Sequence, residues 1–244
     1  MLQIHFSNRF EVLVQLLQAR LAATRGGPFD HATVVVPSAA VARALQLQLA
    51  DDHGLASNLQ PTFLAQWLWQ QMAQVLPEVP DQSPFAPAAL TWRVYAAFGD
   101  AAFVGAHPRL QRYLAGADAL MRFQLAQRVA GLIEPYSTYR PDLLATWRRG
   151  QLPLGHADEA WQAALWRRLC DALALDSTHP ARTFIDALDS AGAGRPHGLP
   201  DRLQVLALPT MAPLHVELLA ALGRHVEIDV YALNPCREYW FELV

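Results

Sequence analysis

Apolar residues recur along the chain with two different periods. Leu2, Ile4 and Phe6 alternate with polar neighbours, so Leu2–Phe6 reads as a short strand and Ser7-Asn8-Arg9 as a turn. Phe10, Leu13, Leu16, Leu17 and Leu21 then follow the helical period and predict a helix over Phe10–Ala23, with Asn8 and Glu11 spaced as a capping box. Thr33–Val36 predicts a second strand. Ser38 is placed to cap a helix carrying Val41, Leu45 and Leu49, which stops near His53-Gly54. From Thr62 to about Ser190 the period is helical almost throughout, broken by proline turns at Pro77–Pro87, Pro108, Pro135 and Pro153, and no strand is expected there. Strand patterns return at Leu203–Leu208 and His225–Leu233, on either side of a helix at Pro213–Leu222 that ends at Gly223.

The simplest arrangement is one parallel sheet made from both ends of the chain: an α/β domain of residues 1–60 plus 198–244, with a helical domain, 61–197, inserted between them. With 244 residues and 52% hydrophobic composition, the chain can bury a large core and is not disordered. The start at Met1 has no basic leader before an apolar run, which speaks against a signal peptide, and no apolar run is long enough to span a bilayer. Cys170 and Cys236 are too few for a disulfide framework and fit a reducing cytoplasm. The last residues, Trp240 to Val244, follow a buried-strand pattern without a stop signal, as expected of a fragment.

Charge narrows the chemistry. All 19 basic residues are arginine, so a phosphate-loop lysine, a Schiff-base lysine and the lysine of a metal-dependent nuclease core have no candidate. Residues 105–169 hold nine arginines against five acids, which leaves −7 for the remainder of a chain whose net charge is −3. In this basic stretch Arg109, Arg112, Arg122, Arg128, Arg140, Arg148 and Arg149 are interleaved with Tyr113, Phe123, Tyr136, Tyr139 and Trp147. Single-stranded nucleic-acid sites use that mixture, and so does an ordinary helix with a wet arginine face and aromatics in its core.

Catalytic constellations find little footing. The strand–turn–helix at residues 2–15 stands where a nucleotide-binding domain carries its phosphate loop, yet His5-Phe6-Ser7-Asn8-Arg9 has neither glycine nor a following lysine. Ala207-Leu208-Pro209-Thr210, after the third predicted strand, lacks the acids that would hold magnesium and polarise water. Gly192, Gly194 and Gly198 follow a helix and are interrupted by Pro196, so they read as linker. His225, Glu227 and Asp229 alternate along one strand and read as an exposed edge-strand face rather than a metal site. Pro141 and Asp142 suit a helix start better than a nuclease motif, and no Gly-x-Ser-x-Gly elbow occurs. No catalytic, cofactor or metal residue is assigned.

Five motifs occur in a telling order. They are the strand before Ser7-Asn8-Arg9, the Phe63–Trp69 aromatic helix with Leu76-Pro77-Glu78-Val79-Pro80, Tyr139-Arg140-Pro141-Asp142, Trp161-Gln162-Ala163 with Leu165-Trp166, and Asn234-Pro235-Cys236-Arg237 before Tyr239-Trp240. Together they resemble the N-terminal part of the exodeoxyribonuclease V gamma-subunit (RecC) family. The resemblance implies a parallel-sheet, helicase-like fold, P-loop-type with degenerate motifs, interrupted by a helical insertion. It implies contact with single-stranded and duplex-end DNA and with the beta and alpha subunits of the complex, in double-strand-break repair and scanning for the hotspot Chi. ATP hydrolysis and cleavage would belong to those partners, and no cofactor or membrane contact is implied. By motif position, Trp69, Leu132 and Arg140 stand where the family lines its DNA channel. Pro37, Ala39 and Arg43, at the start of the second helix, replace polar side chains of the Chi-reading members, which leaves Arg43 as the DNA-facing candidate there. A further basic channel position falls on Pro180. The readings open beside a DNA-contacting module are a pure protein–protein scaffold and an active ATP-dependent helicase.

Overall fold

The computed structural model describes all residues other than 25–26, 28–29, 55–57, 174–179, 193, 235 and 237–244. Pro235, Arg237, Tyr239 and Trp240 of the last family motif therefore lie outside the described residues. The first strands and helices are β1 (Leu2–Ser7), α1 (Phe10–Ala23), β2 (Ala32–Val35), α2 (Ala39–His53), β3 (Leu59–Thr62) and α3 (Leu64–Val75). Six helices follow: α4 (Pro87–Gly99), α5 (Ala101–Gly105), α6 (Pro108–Leu114), α7 (Ala119–Tyr139), α8 (Pro141–Arg148) and α9 (Glu159–Ala172). Then come α10 (Ala181–Ser190), β4 (Arg202–Leu206), α11 (Pro213–Leu222) and β5 (Glu227–Leu233). The chain divides into two compact units, Met1–Val79 with Thr183–Val244, and Pro80–Arg182.

The first unit is an α/β fold around a five-stranded sheet of order β1-β5-β4-β2-β3, parallel at every pairing. It extends past the expected limits near residues 60 and 198, because α3 packs against α11 and stays with the sheet. Leu13, Val14 and Leu17 of α1 and Leu45 and Leu49 of α2 bury themselves against Val34, Val36, Leu206 and Tyr231. Each such side chain withdrawn from water contributes about 1.5–3 kcal/mol. Ser38 Oγ accepts the Val41 N–H at 3.3 Å and Gly54 ends α2 at φ +75°, so both ends of that helix form as the sequence indicates. At α1 the capping box does not form. Arg9 occupies the cap without a side-chain bond, and Ser7 Oγ instead accepts the Arg9 N–H at 3.1 Å.

β3 is a strand that the pattern concealed. It is four residues long, lies at the sheet edge and contains Pro61, a residue that removes a ladder donor and is tolerated only where one side of the strand is unpaired.

The second unit is helical. Leu90, Val94, Ala97 and Phe98 of α4 pack with Ala126, Ala130 and Ile133 of α7, where the two fully buried alanines admit a close helix approach. Leu143, Leu144 and Trp147 of α8 close the same core with Ala163, Trp166 and Leu169 of α9. Pro135 is not a turn: it lies inside α7, which runs on to Tyr139. Proline costs that helix one backbone bond, and burial of Ile133 together with packing of Tyr136 on both sides of it holds the helix together.

Candidate nucleic-acid interface

The sheet unit carries a dense set of ionised groups, all committed to one another. On the α1 face of the sheet, Asp229 of β5 is 1% exposed and accepts hydrogen bonds from His5 Nε2 at 2.9 Å, Arg20 Nε at 3.2 Å and Gln204 Nε2 at 3.2 Å. Gln204 Oε1 accepts the Tyr231 hydroxyl at 2.7 Å, and the His5 ring stacks on Tyr231. Glu227 pairs with Arg20 and with Arg202 Nε at 2.8 Å. Burial pushes the Asp229 carboxyl up, but the bonds from His5, Gln204 and Arg20 and the charge of Arg20 outweigh it and hold the group below its ordinary range. Burial and the neighbouring Asp229 push the Tyr231 phenol well above its ordinary value.

This corrects the reading of His225, Glu227 and Asp229 as an exposed edge face. β5 lies between β1 and β4, and His225 donates from Nε2 to the Leu188 carbonyl at 3.1 Å. Strand alternation reports which side chains share a face and is silent on whether the strand is central. No group of three potential metal ligands occurs among the described residues.

The turn from β1 to α1 spans only Asn8 and Arg9. Ser7 O accepts the Asn234 N–H at 2.8 Å and Arg9 O accepts from Leu13, so these backbone groups already have partners inside the fold. A phosphate loop wraps an anion with several consecutive backbone N–H groups, which a two-residue connection does not supply. At the end of β4, Ala207 adopts φ +47° and donates its N–H to Tyr231 O at 2.8 Å, with no carboxylate in the residues that follow to Thr210.

In the helical unit the interleaved arginines and aromatics separate into two populations. Arg109 pairs bidentately with Asp158, Arg148 with Asp171, and Arg168 with Asp100 at 2.7 Å. Arg122 lies 4.3 Å from the centre of the Tyr95 ring and donates to its hydroxyl at 2.6 Å. Trp147 is buried, donates Nε1 to Glu159 at 2.9 Å and meets the Tyr136 ring edge-on. Cys170 is buried on the core side of α9, and burial pushes its thiol up to about 11. These groups are structural.

The other population is exposed: Arg112 and Tyr113 lie on α6, and a longer run lies along the C-terminal half of α7. Arg128 is exposed; Leu132, one turn on, is 50% exposed; and Tyr139, two turns beyond Leu132, is 56% exposed. Arg140 follows in the junction to α8, half-exposed, its Nε 3.9 Å from Asp142. At that distance between two exposed groups the pair contributes little. The structure thus brings Leu132 and Arg140 to one helix end and places with them Arg128 and Tyr139, two members of the arginine–aromatic mixture. In the sheet unit, Arg43 and Ala39 are exposed one turn apart at the start of α2, just past the end of β2, while Trp69 is buried in α3. Pro180 stands immediately before α10.

No described helix is both long and apolar enough to cross a membrane. Fold and site together define a parallel α/β protein whose chain runs through a helical unit between its third and fourth strands, with Asp229 buried in an internal network and an exposed run of Arg128, Leu132, Tyr139 and Arg140 along α7 and into its junction with α8. Residues 2–244 match the family described as RecC, N-terminal domain, and the chain belongs to the RecC family. It is 33% identical over 252 residues to the RecBCD enzyme subunit RecC of Escherichia coli (strain K12), a match covering 100% of this chain and 22% of that protein. The like-named subunit of Haemophilus influenzae is 26% identical, covering 98% and 24%. That of Mycobacterium tuberculosis is 29% identical, covering 98% and 23%. The chain spans less than a quarter of the length of these relatives.

Proposed function

We propose that this chain is a non-catalytic, DNA-contacting and scaffolding region of a helicase–nuclease complex that acts in double-strand-break repair by recombination. The observation that carries the non-catalytic half is the two-residue β1–α1 connection, in a parallel sheet that lacks lysine altogether. The sheet is read as a helicase-like, P-loop-type domain whose nucleotide chemistry has been lost. ATP hydrolysis then falls to the partner subunits, in keeping with relatives named as one subunit of a larger enzyme. The proposed partners are the beta and alpha subunits and DNA with a single-stranded portion, and the proposed compartment is the cytoplasm.

Within this reading, Arg128, Leu132, Tyr139 and Arg140 form the contact of the helical unit with an unpaired strand, arginine meeting phosphate and tyrosine offering a ring for stacking. Arg43 supplies a cation at the sheet unit, and Trp69 backs the α3 helix from inside. Pro37, Ala39 and Pro180 provide no polar group to a base edge, so scanning for Chi, if this chain takes part in it, would follow a different sequence rule. Two measurements separate the reading from its rivals. Equilibrium dialysis with ATP and magnesium is expected to show no uptake by the chain, and stoichiometric uptake would restore the helicase reading. Titration with a labelled single-stranded oligonucleotide is expected to show binding, and its absence would leave only the protein scaffold.

A further inference from the structure

β1 is an edge strand with two unlike faces. Gln3, His5 and Ser7 alternate toward α1. Leu2, Ile4 and Phe6 face the other way and are 37%, 50% and 52% exposed. On that second face Val230 and Ala232 of β5, in register with Ile4 and Phe6, are half-buried, whereas Leu203 and Val205 of β4 are fully buried. The face is therefore covered over β4 and opens toward β1. The edge itself, Leu2–Ser7, holds no proline, lysine or arginine, the residues with which proteins ordinarily blunt an open edge.

Chain direction says what belongs there. β1–α1–β2 and β2–α2–β3 cross the sheet in one direction, with α1 and α2 on the His5 face. β4–α11–β5 crosses in the opposite direction, so a right-handed connection puts α11 on the Leu2 face. In agreement, a Cβ added to Gly223, just after α11, would stand 3.1 Å from Leu2 Cβ. A further right-handed unit leaving β5 in the same direction would lay its helix over Leu2, Ile4 and Phe6 and its strand beside β1. The polypeptide for it exists in the family, since this region makes up 22% of the Escherichia coli relative and is named the N-terminal domain.

We infer that the Leu2–Ile4–Phe6 face and the outer edge of β1 seat a helix and then a parallel strand supplied by the polypeptide that follows this region in the longer family members. The occupant is intramolecular in those proteins, and the inference is independent of any DNA contact. The test is thiol labelling of Ile4→Cys, with Cys236→Ser to remove the other accessible thiol and Leu2→Cys as a second reporting position. Rates are compared in the 244-residue chain and in the same chain continued by the next roughly 60 residues of the Escherichia coli relative, about two strand–helix units. Labelling at both positions is expected to slow about a hundredfold in the longer form, independently of protein concentration. Equal rates in the two forms would overturn the inference. So would protection that already exists in the shorter form, grows with concentration and accompanies dimers in sedimentation, because a second copy would then be the occupant.

Discussion

Asp229 shows how a single residue can be both the costliest and the most informative group in a sheet. A buried carboxylate is expensive unless its charge is matched, and here His5, Arg20 and Gln204 supply three donors. Asp229→Ala would leave the Arg20 and His5 donors facing an emptied site and is expected to cost about 3–5 kcal/mol in denaturant unfolding. The pH dependence has a fixed sign. The folded carboxyl titrates below its ordinary value, so its contribution is complete above the unfolded value of about 4 and is lost as pH falls through the lower folded value. Asp229→Asn should therefore flatten the acid limb of the stability profile below about pH 4. An unchanged acid limb would show that other carboxylates set it. At the other candidate site, Arg140→Ala should weaken single-strand binding by about 1–3 kcal/mol while leaving the melting temperature unmoved, because its ion pair with Asp142 is long and exposed. Unfolding of the variant, or unaltered affinity, would make Arg140 structural.

Among the elements, the pairing of α4 with α7 depends on small side chains. Ala126 and Ala130 are fully buried in the seam, so there is no room between these helices for a longer residue. Ala130→Leu is expected to destabilise by about 1–3 kcal/mol through overpacking, measurable as a lower denaturation midpoint with an unchanged slope. A neutral result would mean that the seam has slack. Elements of this kind were readable from sequence to different depths. α2 carries local start and stop chemistry at Ser38 and Gly54, and α11 begins at Pro213 and ends at Gly223, so their limits could be read directly. β3 could not, because Pro61 argues against a strand unless one already knows that it lies at an edge. Pro135 misled for the converse reason: a lone proline is a breaker in water and a tolerated defect where the flanking turns are packed. The central position of β5 was hidden as well, since the Asp229 network is assembled from β1, α1, β4 and β5, segments more than 200 residues apart at the extreme. Of the candidate interface, Leu132 and Arg140 were named from family position, and Arg128 and Tyr139 only as members of the arginine–aromatic mixture; Tyr139 joins the face of Arg128 and Leu132 because α7 continues through Pro135.

The whole molecule combines two compact units of different make-up, one built on a sheet and one of helices. The sheet unit is built on five parallel strands, and β1 passes into α1 through a turn of two residues. The helical unit pairs Arg109, Arg148 and Arg168 with carboxylates and leaves a cationic and aromatic stripe exposed along the C-terminal half of α7. In the proposed function this stripe engages an unpaired strand through its phosphates. The most direct test of this claim is fluorescence anisotropy of a labelled single-stranded oligonucleotide across a salt series, comparing the chain with an Arg128→Ala, Arg140→Ala double variant. Binding should weaken with salt along a straight logarithmic line, and the variant's line should be shallower by about 1.4, roughly 0.7 for each phosphate that an arginine no longer neutralises. Binding that ignores salt, or two lines of the same slope, would contradict the claim.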